Sequence, residues 1–400
     1  MQPYGTYSVG AIPSFHPPFT FNIIENYYEF YSLLLRVSRI YTNNKKYILT
    51  GWFHFEGSDY TMDYEIFDLG DVTLQSGVTL PSAFLAYKTY GRLNEKKDNV
   101  IVYPTAFGDH HVQNEWLIGN GMALDPQKYF IIVPNLLGNG LSSSPSNTPA
   151  PFDRANFPQV TIYDNVKFQH RLVTEKFGIQ KIALVAGWSM GGIQSFQWGA
   201  SYPDMVERIA PFAGVAKTWP QTHVVLEGMR APLMAAVRFD SSKLNELTSE
   251  DMRAVGRVYA GWGVSEAFYR EELYREMGFD SLADFIVGVW ENSFMQMDPH
   301  NVLAMLWTGQ HSDISANPDY NGDFDKALRS IKAHACVMPG STDLFCPADD
   351  NEYEAKLMPN AVFNPIESIW GHFAGRGINN ADNQFIDDNL KRLLALRIDG

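Results

Sequence analysis

Residues 181–200, KIALVAGWSMGGIQSFQWGA, constrain the fold of the whole chain more than any other stretch. Ile182, Ala183, Leu184, Val185 and Ala186 form a short apolar run with β-branched members, which reads as a strand buried on both faces. Gly187-Trp188-Ser189-Met190-Gly191 follows at once, and a helical pattern runs on through Ile193, Phe196 and Gln197. A G-x-S-x-G segment between a buried strand and a helix makes a sharp, strained turn that lifts the serine hydroxyl clear of a sheet. Glycines flank the serine because a Cβ there would clash where the helix folds back on the strand. The same turn leaves the Met190 N–H at a helix N-terminus, placed to stabilise a developing oxyanion.

At 400 residues the chain is long enough for one large α/β domain with an insertion. A formal net charge of −14 argues against nucleic acid and against anionic membrane surfaces as partners. The two cysteines, Cys336 and Cys346, can build neither a disulfide framework nor a zinc-type ligand set. No apolar run is long enough to span a bilayer, and no basic segment followed by an apolar core opens the chain, so a cytoplasmic location is expected.

Residues 1–61 mix Pro, Gly and aromatics without a period and then offer one amphipathic stretch; a poorly ordered extension is predicted there. The functional domain is expected to begin near Met62. Residues 64–75 and 83–89 alternate apolar with polar and predict antiparallel strands. Buried strands are predicted at 99–104, 129–134 and 206–214, with a helix over 164–177 capped by Asp164 and stopped at Gly178. This alternation implies a mostly parallel sheet covered by helices on both faces. Over residues 216–325 the alternation gives way to five consecutive helical patterns, read as an inserted cap. Its aromatics Trp219, Phe239, Trp262, Trp290, Phe294 and Trp307 are candidates to line a substrate tunnel, although packing within the cap accounts for any one of them as well. The sheet pattern resumes at 334–340 and 361–366, and a helix at 381–397 closes the chain. The core is thus predicted to comprise residues 62–215 and 326–400.

A serine hydroxyl needs a base to take its proton, and the base needs a carboxylate to hold its tautomer. Asp343 follows one late strand and His372 follows the next, in a Gly-flanked loop; among ten histidines it alone has that position. The order Ser189, Asp343, His372 is the one expected of an α/β-hydrolase arrangement. Asp349 and Asp350 lie beyond Pro347 and Asp313 lies in the cap, so they fit less well. A second oxyanion donor is expected from the loop after the strand at 99–104, with Ala106 N–H first and Phe107 second. Phe107, Trp188 and Phe373 are expected in the substrate pocket. Asp109-His110-His111 offers metal-ligand types, but adjacent histidines converge poorly on one ion, and a loop-ordering role is expected.

Several motifs carry a resemblance: GWSMGGIQSFQWGASYPDMVERI, FPQVTIYDNVKFQHRLVTEKFGI, NLLGNGLSSSPS and the GSTDLFCP…GHFAG ending. Together, from about residue 64 onward, the chain resembles the homoserine O-acetyltransferase-like branch of the α/β-hydrolase superfamily. That resemblance implies the hydrolase core, a helical cap, a Ser189–Asp343–His372 triad and a homodimer joined through the cap. Two departures matter. The true acetyltransferases carry an aspartate directly after the histidine, where this chain has Phe373, and an arginine early in the cap, where it has Leu226-Glu227-Gly228 with Arg230 out of register. Without them an ammonium and a carboxylate stay unmatched, which argues against homoserine as acceptor. The expectation is a serine hydrolase that cleaves a small-molecule carboxylic ester without cofactor or metal. Alternatives are acyl transfer from acyl-CoA to a hydroxyl acceptor other than homoserine, or a non-catalytic binding protein on the same fold.

Overall fold

The computed structural model describes residues 63–237 and 241–398; the extension predicted over residues 1–61, and Phe239, lie outside them. Eight strands form one sheet in the order β1-β2-β4-β3-β5-β6-β7-β8. They are β1 (Glu65–Thr73), β2 (Thr79–Tyr90), β3 (Val100–Val102), β4 (Phe130–Pro134), β5 (Leu184–Trp188), β6 (Arg208–Phe212), β7 (His334–Val337) and β8 (Ala361–Phe363). β1 pairs antiparallel with β2 and β2 with β4, and the remaining pairings are parallel. The central strands β3 to β6 are buried at every residue, as near-continuous apolar runs require of parallel strands covered on both faces.

Helix α1 (Ile162–Arg171) starts two residues before the predicted cap. Thr161 is its cap: its Oγ1 accepts from Asp164 N at 3.1 Å, while Asp164 Oδ2 accepts from Thr161 N at 3.1 Å. Asp164 is therefore the reciprocal member of a capping box rather than the cap itself. The chain continues in a wider turn over Leu172–Lys176 and leaves the helix at Gly178, whose φ of +63° is left-handed.

Helix α2 (Met190–Ser201), the elbow helix, follows β5, and between β6 and β7 the chain builds the cap, led by α3 (Pro220–Val237), α4 (Met252–Gly263) and α5 (Pro299–Gln310). Two core helices escape the periodic signal. α6 (Phe324–Ser330) packs on the elbow helix and on α7 (Ala348–Leu357). In α7 the buried residues include Asn351 and Glu354, a polar inner face that hides its amphipathicity from an apolar count. The chain closes with α8 (Asn380–Leu394).

Glu354 fastens the base of the cap. Its Oε1 accepts from Ala216 N at 2.9 Å and Trp219 Nε1 at 2.8 Å, and its Oε2 accepts from Asn351 Nδ2 at 2.7 Å. Burial outweighs these donors and pushes its carboxyl up to about 8. The folded state therefore binds this proton more tightly than the unfolded chain does. The contribution is complete below the ordinary value of 4.5 and is lost as pH rises through about 8. Expressed as a difference from Glu354→Gln, wild-type stability should fall between about pH 5 and pH 8, by at most ~1.4 kcal/mol per pH unit. Thermal melts of both proteins across that range measure it; parallel curves would contradict the assignment.

Candidate active site

Ser189 sits between β5 and the elbow helix α2. Its φ of 52° and ψ of −120° are strained for a residue with a Cβ, at a typical ~1–3 kcal/mol. The flanking glycines show what allows the turn. A Cβ on Gly187 would stand 2.3 Å from the Gly191 carbonyl carbon, and one on Gly191 would stand 2.6 Å from the Pro104 oxygen. The second contact also presses the elbow against the loop that follows β3.

The sheet brings three distant side chains together at the ends of β5, β7 and β8. Ser189 Oγ lies 2.9 Å from His372 Nε2, although 183 positions separate them. His372 Nδ1 lies 2.7 Å from Asp343 Oδ2. The other carboxylate oxygen, Oδ1, accepts from Phe345 N at 2.7 Å and Cys346 N at 2.9 Å. An ionised carboxylate only accepts, so the Asp343 contact places the imidazole proton on Nδ1 and leaves Nε2 as acceptor for the serine O–H. All three residues are buried. The His372 ring is stacked on Phe345 at 4.6 Å, and its carbonyl accepts from Trp188 Nε1 at 3.0 Å. Thr342 Oγ1 donates to Ser368 O at 2.7 Å and accepts from Gly371 N at 3.2 Å, tying the acid turn to the histidine loop.

A cavity of about 680 Å³ opens over Ser189. Phe107, Trp188, Met190 and Phe373, four of the residues singled out from sequence, line it. The Ala106 side chain belongs instead to a buried core cluster. The loop itself is held by carbonyl contacts. Gln194 Nε2 donates to Thr105 O at 2.9 Å, and Asn114 Nδ2 donates to Tyr103 O at 2.9 Å.

The cap aromatics divide. Phe294 reaches the cavity wall, while Trp219, Trp262, Trp290 and Trp307 pack elsewhere. Trp290 backs Phe373 at 5.3 Å, Trp219 stands edge-on to Phe324 at 5.9 Å, and Trp307 is stacked on His311 at 4.1 Å. Tyr259 and Phe345 are wall aromatics that helical spacing did not single out, because spacing says which face is apolar and not what the face meets.

Asp109, His110 and His111 turn to separate partners. His110 Nε2 lies 3.1 Å from Asn139 O, His111 Nε2 lies 3.0 Å from Asp63 Oδ1, and Asp109 Oδ1 accepts from Arg376 Nη2. Burial outweighs the neighbouring guanidinium and raises the Asp109 carboxyl to about 6, so it is charged at neutral pH. Among the described residues one group, Asp343, Cys346 and His372, places three metal-ligand atoms within 4.8 Å of one another. Two of those atoms are already engaged in the relay, and burial pushes the Cys346 thiol well above its usual range, so it stays neutral and packs as an apolar group.

Comparison with known proteins gives the same fold. Residues 98–235 match the model of the alpha/beta hydrolase fold family. The chain is 38% identical over 341 residues to an ethyl acetate hydrolase of Pseudomonas veronii, covering 83% of this chain and 95% of that protein. The crystal structure of an acetylester hydrolase from Corynebacterium glutamicum superposes with a TM-score of 0.79 at 36% identity, covering 83% of this chain and 95% of that one. A homoserine O-acetyltransferase of Chlorobium chlorochromatii is 29% identical over 332 residues, covering 79% of this chain and 92% of that protein.

Proposed function

The chain belongs to the α/β-hydrolase family, in the branch that joins acetyl ester hydrolases to homoserine O-acetyltransferases, and from that premise we propose how it cleaves a carboxylic ester. The observation that carries the reading is the unbroken relay from Ser189 through His372 to Asp343 at the wall of the cavity. His372 Nε2 takes the Ser189 proton as Oγ attacks the ester carbonyl. The N–H of Met190 and an N–H of the loop after β3, Ala106 first and Phe107 second, receive the oxyanion. The alcohol departs with the proton held by His372 and leaves an acyl group on Ser189. His372 then takes a proton from an entering water, whose oxygen attacks the acyl carbonyl. The serine recovers its proton as the acid leaves, and the enzyme is regenerated.

Acetyl esters are the proposed substrates, supported by the names of the relatives above 35% identity. Homoserine is poorly served as an acceptor. Phe373 is buried against Trp290, Tyr259 and Trp188 and offers an ammonium group nothing to pair with. Glu227 and Arg230 pair with each other at 3.3 Å on the exposed side of α3. No helix among the described residues is long and apolar enough to cross a membrane. The reading includes a cytoplasmic enzyme, in keeping with its two free, buried cysteines, and a homodimer through the cap, in keeping with exposed Val224, Leu282 and Val287 there.

The test is p-nitrophenyl acetate with and without hydroxyl acceptors. Acetate and p-nitrophenol should form at full rate in water alone, and added homoserine should change the rate by less than about twofold. Product that forms only when an acceptor is supplied would overturn hydrolysis in favour of transfer.

A further inference from the structure

Two loops and the end of β5 converge on the Arg376 guanidinium. Asp109 closes the turn of the loop after β3, its N–H donating to Ala106 O at 3.2 Å, and its carboxylate accepts from Arg376 Nη2. Arg376 itself stands four residues beyond His372 in the loop after β8. Its guanidinium lies 4.7 Å from the centre of the Trp188 ring, the residue before the nucleophile, and Trp188 Nε1 donates to the carbonyl of His372. The Asp109 and Arg376 side chains are only 7% and 10% exposed, and both residues line the cavity.

We infer that Asp109 and Arg376 form a positioning strut that fixes the spacing between the oxyanion-binding loop and the loop carrying the base. The inference rests on the hydrolase reading of the site. A buried ion pair is a weak source of net stability, since desolvation offsets much of its attraction. Its geometric effect is stronger: a planar guanidinium joined to a carboxylate and laid on an indole has few alternative arrangements. One end of this tie sits two residues from Phe107 and the other four from His372. The oxyanion donors and the base must act on one carbonyl group, and a displacement of about 1 Å between them is enough to lose ~100-fold in rate. Asn139 Nδ2 donates to Asp109 O at 2.9 Å, so the backbone at this end of the strut is held independently of the ion pair. Removing the charge pair should therefore loosen the spacing without dissolving the loop.

The experiment compares wild type with Asp109→Asn, Arg376→Met, Arg376→Lys and the Asp109→Asn/Arg376→Met pair, using p-nitrophenyl acetate. Each single neutral variant should lower kcat by about 10–100-fold with KM within about twofold, because alignment and not substrate binding is lost. Arg376→Lys, which keeps the charge but not the fork, should lose about 3–10-fold. The double variant should be no slower than the worse single, since the two residues act as a unit. Wild-type kcat in folded variants overturns the strut. So does a loss that falls mainly on KM, or losses that multiply in the double variant. Melting curves identify folded proteins, and where Arg376→Met does not fold the Arg376→Lys kcat decides alone. The rate at which diethyl p-nitrophenyl phosphate modifies Ser189 is followed in every variant. It should fall with kcat, and it reads alignment even if wild type proves to transfer acetyl groups rather than hydrolyse them. Failure of the strut is thereby separated from failure of the hydrolase reading.

Discussion

Ser189→Ala should lower kcat for p-nitrophenyl acetate by about 10⁴–10⁶-fold while the protein stays folded. The substitution removes the only atom that attacks the carbonyl, and water cannot replace it in a site built to hold an acyl group on Oγ. The structural cost is small. Alanine carries the same Cβ as serine, so the strain at φ 52° is unchanged. What is lost is one hydrogen bond to His372 Nε2, worth about 1 kcal/mol. The remaining rate would come from the oxyanion donors and from orientation of the ester within the cavity. Steady-state kinetics on a variant verified by its melting temperature measures this, and a variant as active as wild type would remove Ser189 from the reaction.

Asp343→Asn should lower kcat by about 10⁴-fold near neutral pH. The Asp343 carboxylate accepts three N–H groups: Phe345 and Cys346 N on Oδ1 and His372 Nδ1 on Oδ2. An asparagine keeps its oxygen toward the two backbone donors, because turning the amide over would set its NH₂ against them. Its NH₂ then faces His372 Nδ1. The imidazole answers by moving its proton to Nε2, which now points a donor at the Ser189 oxygen and can no longer accept the serine proton. Geometry survives and chemistry does not. Comparison with Asp343→Ala separates the two: the alanine leaves Phe345 and Cys346 N without their acceptor and should also lower the melting temperature by several degrees. If Asp343→Asn retained wild-type kcat, the tautomer would have to be held by another group.

Much of this arrangement is legible from local signals. The elbow announces itself because strand, tight turn and helix each leave a short-range pattern, and steric exclusion at Gly187 and Gly191 leaves room for nothing larger. Asp343 and His372 are legible through topology, since residues after successive parallel strands emerge at the same sheet edge. The second oxyanion donor, Ala106 or Phe107, is hard to read from sequence, because backbone donors impose no side-chain type. Arg376 leaves no local signal for a different reason. A single cation in GHFAGRG reads as a solvated side chain until the fold sets it over Trp188 and against Asp109, far away in sequence. Helix α7 gives no apolar period because its inward face carries Asn351 and Glu354, buried polar groups that such a period does not register. The cap aromatics show the limit of the same signal, since Trp219 and Phe294 share a residue class but only Phe294 meets the cavity.

Reaction with diethyl p-nitrophenyl phosphate, followed by peptide mass spectrometry, tests the account most directly. One diethylphosphoryl group per chain should appear on Ser189, and esterase activity should fall in proportion to the labelled fraction. Ester cleavage that persists with Ser189 fully labelled, or inactivation that places the group on another residue, would contradict it.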